Sequence, residues 1–410
     1  MKKIELLAPA GDLEKLKMAL VYGADAVYIG GQSFGLRASA KNFSFDDMKT
    51  GIEFAHAHNK KVYVTLNIIP HNEDLKELPS YLVKLKQLQV DAIILSDPGT
   101  FMFVKEHAPQ MEIHLSTQAN TTNYMSAAFW HGQGIKRIIL ARELSLNEIR
   151  DIVQNVPEGL EFEAFVHGAM CISYSGRCLL SNYMANRDAN RGECAHPCRW
   201  KYYLVEEKRP GEYMPVLEDE KGTYFFNSKD LCMIEHIPEL IKSGLSSLKI
   251  EGRMKSAYYV ATVVRAYRKA IDNYYFMGSN YEFNDKWLEE IKKASHREFT
   301  TGFYFDKPGH EEQLYSNSSY VRDYDFVGLI LDYDPDTSIA TIEQRNRIFK
   351  HDLIEVIGPD LDCQTISVDE MWNEEGEEIN VAPHPQQIIK IRISIPVKKY
   401  YILRKERKDD

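Results

Sequence analysis

Apolar residues in this chain fall into eight short, nearly uninterrupted runs. They begin at Ile4 ("IELLAP"), Asp25 ("DAVYIGG"), Lys61 ("KVYVTLN"), Asp91 ("DAIILSD"), Met111 ("MEIHLSTQ"), Lys136 ("KRIILARE"), Leu160 ("LEFEAFVHG") and Ser246 ("SSLKIEGR"). Runs of this length without strict alternation suit parallel strands covered on both faces. Between them lie helix-period segments such as "DLEKLKMALVYG" and "ELPSYLVKLKQLQ". Three strands are entered the same way, through "YGADAVYIG", "LQVDAIILS" and "GQGIKRIIL", as a helix end, a turn and a strand. Eight such units predict an α/β protein built on a (β/α)8 TIM-like barrel, with a doubly wound open sheet as the alternative. From about Tyr320 the pattern changes to alternation, in "YDFVGLILDY", "SIATIEQ" and "QIIKIRISIP", which predicts a small antiparallel β-barrel. The expected division is a barrel domain over 1–319 and a C-terminal domain over 320–410.

The barrel reading carries a functional expectation. Residues just past each strand should line the mouth, where barrel enzymes keep their sites. These are Gly30, Gly31, Asn67, Ser96, Asp97, Ser116, Gln118, Arg142, Glu143, His167, Glu251 and Arg253. Strand ends meet polar loops in any fold, so the set matters more than any member. Connections are short except between strands seven and eight, where residues 168–245 intervene. Insertions this long at a barrel mouth are usually functional.

That insertion concentrates the chain's cysteine. Four of six cysteines lie in "CISYSGRCLLSNYMANRDANRGECAHPC", at Cys171, Cys178, Cys194 and Cys198. Cys232 follows in "NSKDLC", and Cys363 stands apart as a bystander. No apolar run approaches the roughly 18 residues of a membrane helix. The opening "MKKIELLAPAGD" reads as a buried first strand rather than an export signal, because Glu5 interrupts its apolar stretch. The expected compartment is the reducing cytoplasm, where clustered cysteines are more often metal ligands or reactive thiols than disulfides. No pair is CxxC, so neither a zinc finger nor a ferredoxin spacing applies. Iron–sulfur and zinc both remain open on spacing, with His196 the natural extra zinc ligand.

The stretches "EAFVHGAMCISYSGRCLLSNY", "NRGECAHPCRW" and "NSKDLCMIEHIPELIKSGLSSLKIEGRMKS", with "ELLAPAGDLEKLKMALVYGADAVYIGG" at the start, resemble the collagenase-like peptidase family U32, of unassigned catalytic type. The resemblance covers nearly the whole chain and is strongest to the members that modify tRNA. It implies oxygen-independent hydroxylation of a wobble uridine to 5-hydroxyuridine, an iron–sulfur cluster, most simply 4Fe-4S, and a link to prephenate. Sister groups act on ribosomal RNA or on a quinone precursor. Carried over by position, Cys171, Cys178 and Cys194 match the first three cluster ligands. The fourth is expected to be Cys232, with Cys198 as the alternative, since family members differ at this point.

The peptidase label finds little support in the residues. GxSxG and HExxH are absent. The SxxK pattern at Ser246 and Lys249 would point its side chains to opposite faces of a strand. A Cys171 nucleophile near His167 is the remaining peptidase arrangement.

Charge adds two expectations. With 50 basic and 60 acidic residues, the formal net charge is −10, which argues against blanket nucleic-acid binding but leaves room for a local basic face. Arg265, Arg268 and Lys269 share one face of the helix after strand eight, and Arg191 and Arg199 flank the cysteines; these are the RNA-contact candidates. A dicarboxylate co-substrate needs cations, for which Arg142, His167, Lys249 and Arg253 are candidates, with Glu251 beside them at the mouth. The expected partners are tRNA, the small dicarboxylate, and a paralogous subunit or a second copy of the chain; no membrane is expected.

Overall fold

In the computed structural model the described residues are 3–32, 34, 42–171, 173–200, 203–204, 214–215, 227–307, 313–314 and 321–407. The eight predicted strands are present as β1 (Glu5–Pro9), β2 (Ala26–Gly30), β3 (Lys61–Leu66), β4 (Ala92–Leu95), β5 (Ile113–Leu115), β6 (Arg137–Ile139), β7 (Glu161–Ala169) and β8 (Ser247–Ile250). Each pairs in parallel with the next, and β8 pairs with both β7 and β1. That double pairing closes the sheet into a barrel and excludes the open doubly wound alternative. Helices such as Leu13–Val21, capped by Asp12, and Phe45–Ala57, capped by Ser44, cover the outside.

The β7–β8 seam contains a register shift. Lys249 stands opposite Phe165, but Ile250 stands opposite His167, so β7 carries one extra residue there. Because strand side chains alternate, a one-residue slip reverses the face of every residue beyond it. Phe165 and Lys249 point into the barrel, whereas His167 is turned to the outer face with Ile250. A short strand of the insertion, Asp230–Cys232, runs antiparallel to β7 there, with Cys232 opposite His167.

The C-terminal domain holds β9 (Tyr324–Asp334), β10 (Ile339–Gln344), β11 (Leu353–Ile357), β12 (Gln364–Ser367), β13 (Met371–Asn373), β14 (Ile388–Arg392) and β15 (Ile402–Glu406). They form one antiparallel sheet, ordered β12-β11-β15-β9-β10-β14-β13, curled into a half-barrel. Its inner face has a core of its own, built from residues such as Ile330, Ile342, Val356 and Leu403. Leu329, Ile357 and Ile402 instead join the barrel's core. Polar contacts reinforce the junction. Tyr22 Oη donates to the carbonyls of Ile357 and Tyr400 at 3.2 and 3.0 Å. Arg404 reaches Glu290 and Glu355, both at 2.7 Å.

This junction corrects one expectation. The long helix Ala257–Met277 does not offer Arg265, Arg268 and Lys269 to solvent as a common basic surface. Arg265 is buried and donates to the carbonyls of Gly358 and Leu361 at 2.8 and 2.7 Å. Arg268 pairs with Asp25 at 2.9 Å and Asp272 at 2.6 Å, and Lys269 pairs with Asp362 at 2.6 Å. Helix periodicity put the three on one face correctly, but that face is where the second domain docks.

Candidate functional site at the barrel mouth

A cavity of about 630 Å³ opens at the C-terminal ends of the strands. Its floor is charged. Glu163, fully buried inside the barrel, accepts from Lys249 Nζ at 2.7 Å and lies 3.3 Å from Arg137. Burial opposes ionisation of Glu163, but Lys249 and then Arg137 outweigh it, and the carboxyl is held below its usual range. The Lys249 ammonium faces the cavity 4.4 Å from the Tyr28 ring centroid and 5.4 Å from that of Phe165.

Arg253, in the loop after β8, reaches across the mouth. Its guanidinium donates to Thr65 Oγ1 at 3.0 Å and to Asn42 Oδ1 at 3.1 Å. The path is open because residue 30 is glycine: a Cβ there would lie 2.5 Å from Arg253 Nη2. Glu251 lines the same wall and accepts from Tyr28 Oη at 3.1 Å.

The cysteine segment contributes to the same lining. Cys171, Cys178, Cys194 and Cys198 all line the cavity. Loops after three different strands hold the segment down. Arg142, after β6, donates to the Ala169 carbonyl at 3.0 Å and to Ser175 Oγ at 2.9 Å. Asn120, after β5, reaches the Ser175 carbonyl at 3.3 Å. Asp74, after β3, takes both Nη atoms of Arg191 at 2.7 and 2.9 Å, and that hydrogen-bonded pairing holds its carboxyl below the usual range. Within the segment, Asn190 Nδ2 bonds the Cys178 carbonyl at 3.2 Å. His196 adopts a left-handed conformation, φ 54°, and its backbone N–H donates to Cys194 Sγ at 3.4 Å. Among the described residues no three of the cysteine sulfurs lie within 4.8 Å of one another. A single tetrahedral ion with 2.3 Å bonds would need separations of about 3.8 Å.

Cys232 lies elsewhere. It is buried on the outer face of β7 beside Tyr267, away from the cavity lining, and burial pushes its thiol up to about 12. His167 shares that seam. It is enclosed by the rings of Tyr259, Tyr267 and Phe299, and burial lowers it to about 3. It does not line the cavity. The expectation that it sits at the mouth is corrected: the bulge in β7 reverses its direction. This also separates it from Cys171 as a nucleophile–base pair.

Of the remaining expected residues, Asn67, Ser116, Gln118, Arg142, Lys249, Glu251 and Arg253 line the cavity. Asp97 instead caps the helix Pro98–His107, accepting from Thr100 N at 2.7 Å. Arg191 is committed to Asp74, and the side chain of Arg199 lies outside the described residues. Sequence reasoning missed Tyr28 and Thr65, which alternation along β2 and β3 could have aimed inward. It also missed Arg322, Tyr324, Asp325 and Phe326, which the C-terminal domain brings to the same cavity. No described helix is long and apolar enough to cross a membrane.

Comparison with known proteins gives this arrangement a context. The chain is 45% identical over 404 residues to "tRNA hydroxylation protein P1" of Bacillus subtilis, covering 98% of this chain and 95% of that protein. It is 40% identical over 423 residues to "tRNA hydroxylation protein P" of Escherichia coli, covering 93% of this chain and 92% of that one. A third relative, "23S rRNA 5-hydroxycytidine C2501 synthase" of Escherichia coli, is 38% identical over 270 residues, 66% of this chain and 39% of its own length. Residues 11–314 match the peptidase family U32 and residues 322–404 match the C-terminal domain of that family. With both parts matched in order along nearly its full length, the chain belongs to peptidase family U32.

Proposed function

We propose that this protein hydroxylates RNA, forming 5-hydroxyuridine at the wobble position of tRNA, with an iron–sulfur cluster held by Cys171, Cys178, Cys194 and Cys198. One observation carries the proposal: four thiols and the cations of Lys249 and Arg253 line one cavity, in a chain close to full-length relatives named for tRNA hydroxylation. Cys198 is preferred to Cys232 because it shares the cavity wall with the other three, whereas Cys232 is sealed in an apolar seam. An all-thiolate set favours iron–sulfur or zinc over hard cations. When bound, such a cluster supplies electron transfer or Lewis acidity.

The chain's own residues do the rest. Glu163 pairs with Lys249 at 2.7 Å and anchors its ammonium at the cavity. Arg253, braced by Thr65 and Asn42, presents a second fixed cation. Two fixed cations suit a small dicarboxylate, and prephenate is the co-substrate proposed for them. Arg142 positions the cysteine segment through Ala169 and Ser175. Tyr28 and Phe165 supply apolar surface that excludes water around a planar base.

Nucleoside mass spectrometry of tRNA from a strain lacking the gene tests the proposal. Derivatives of 5-hydroxyuridine should disappear. The wild-type gene should restore them and Cys198→Ser should not. Unchanged tRNA, together with cleavage of denatured collagen by the purified protein, would move the function to peptide hydrolysis.

A further inference from the structure

Three cavity-lining side chains from three separate segments are open to solvent at the rim. Tyr174, in the cysteine segment, is 46% exposed, and Met254, in the loop after β8, is 51% exposed. Arg322, just before β9 of the C-terminal domain, is also exposed. Deeper in the cavity the cations are engaged: Lys249 with Glu163, Arg253 with Thr65 and Asn42. Arg322 differs. Among the described residues it makes no ion pair or hydrogen bond, and the Tyr174 ring packs on no other ring.

The C-terminal domain is built into this opening. Phe326 stacks on Tyr258 at 5.9 Å and 17°, and both line the cavity. With the domain held by Tyr22, Arg265 and Arg404, Arg322 has a fixed position relative to the cavity and does not ride on a swinging module.

An aromatic ring with a free face, a pliable thioether and an unpaired guanidinium around one opening are what an unpaired RNA strand needs. Bases stack on the ring and phosphates pair with the guanidinium. The chain's net charge of −10 makes unpaired cations at the opening decisive for a polyanion. A cavity of this size accepts one nucleotide turned out of its stack.

We propose that a single-stranded RNA loop crosses this rim, with Arg322 taking a backbone phosphate and Tyr174 stacking on a base next to the one delivered inside. This rests on RNA being the substrate, as proposed above. It makes the C-terminal domain a wall of the substrate site and Arg322 a residue that positions the strand across it.

The test uses the full iron-loaded chain and a transcribed tRNA bearing a wobble uridine, with affinity measured at 50 and 200 mM salt. Loss of one single-strand phosphate contact changes the log–log salt slope by about 0.7. Over that fourfold salt range, wild-type affinity should therefore fall about 2.6-fold more than that of Arg322→Ala. Tyr174→Ala should bind about fivefold or more weakly at both salts, with the slope unchanged. Both variants should keep wild-type iron content. If the wild type binds tRNA and both variants match it in affinity and slope, the rim assignment falls while RNA remains the substrate. If the iron-loaded wild type binds no tRNA, both proposals fall. If Arg322→Glu alters oligomer mass in sedimentation but not tRNA affinity, the rim belongs to a protein partner and the assignment is overturned.

Discussion

The N-terminal floor of the barrel and its C-terminal mouth are both lined by charged side chains, yet the two ends dispose of that charge differently. At the floor, Arg137 pairs with Glu5 at 2.5 Å, Glu161 at 2.7 Å and Glu163 at 3.3 Å, while Tyr63 and Ser247 donate to Glu5. Each charge there is met by another protein group, and little is left for a ligand. At the mouth, Lys249 has one carboxylate behind it and a cavity in front, and Arg253 donates to Thr65 and Asn42 while lining the same cavity. Charge at a strand end is therefore not itself the signature of a site. The signature is a cation anchored by a buried partner and aimed into a cavity that thiols also line.

The largest expected effect breaks the mouth and spares the floor. Anaerobically purified protein should carry about four iron and four sulfide per chain if the cluster is cubane-type. Cys171→Ser, Cys178→Ser, Cys194→Ser and Cys198→Ser should each lose most of that iron. Cys232→Ser should keep it, because its thiol sits in the seam beside Tyr267. Iron loss in Cys232→Ser with retention in Cys198→Ser would reverse the assignment, and stoichiometric zinc without sulfide would replace the cluster.

The complementary experiment breaks the floor. Arg137→Met removes the cation that three carboxylates share, leaving buried Glu163 with Lys249 alone. Unmatched buried charges cost about 3–5 kcal/mol. Chemical denaturation should show a loss of that order, while iron content per folded molecule stays unchanged. A loss below about 1 kcal/mol would mean that water or neighbouring groups already compensate the floor.

The same contrast explains what could be read beforehand. The barrel was legible because eight apolar runs and their preceding helices repeat a local pattern, and local patterns survive in sequence. Asn67, Ser116, Gln118, Arg142, Lys249, Glu251 and Arg253 were legible because a barrel strand's end has a known destination. His167 was not, because a single extra residue in β7 reverses its face and no composition signal marks a bulge. Arg322 and Phe326 were not, because they lie more than 70 residues past β8 in chain order and reach the cavity only through domain docking. Cys232 lies outside the cavity lining for a related reason: sequence clustering counts thiols but cannot see which side of a strand each one takes.

His167 lies between the two ends in energetic character, since it is neither paired like the floor nor open like the mouth. Burial first, then the nearby charge of Lys255, lowers it to about 3, with Asp230 opposing. Its unfolded value is near 6.5, so the unfolded chain binds the proton more readily between these limits. Its contribution to stability is therefore complete above about pH 6.5 and is lost as the pH falls towards 3. The slope is about 1.4 kcal/mol per pH unit. Between pH 6.5 and 4.5, wild-type stability should drop by about 2 kcal/mol more than that of His167→Phe, which keeps a ring in the seam but cannot titrate. Parallel pH profiles for the two proteins would show that the imidazole remains accessible to protons when folded.

The smallest effect is expected farthest from both ends. Lys269 lies on the same helix face as Arg265, and in the sequence the two look equally suited to phosphate. The structure separates them: Arg265 is buried under the C-terminal domain, whereas Lys269 is part-exposed and pairs with an Asp362 that is 86% exposed. Pairs of this kind contribute about 0–1 kcal/mol, because solvent screens the attraction and two long side chains lose freedom. Lys269→Ala should change unfolding free energy by under about 0.5 kcal/mol. It should also leave tRNA affinity and its salt slope as in the wild type, because Asp362 occupies the ammonium and the helix lies behind the domain junction rather than at the rim. A flattened salt slope in Lys269→Ala, alongside an unchanged slope in Arg322→Ala, would place the RNA on the outer face of the barrel. The closed floor would then matter for stability alone and the open mouth for chemistry alone, with binding carried by a third surface.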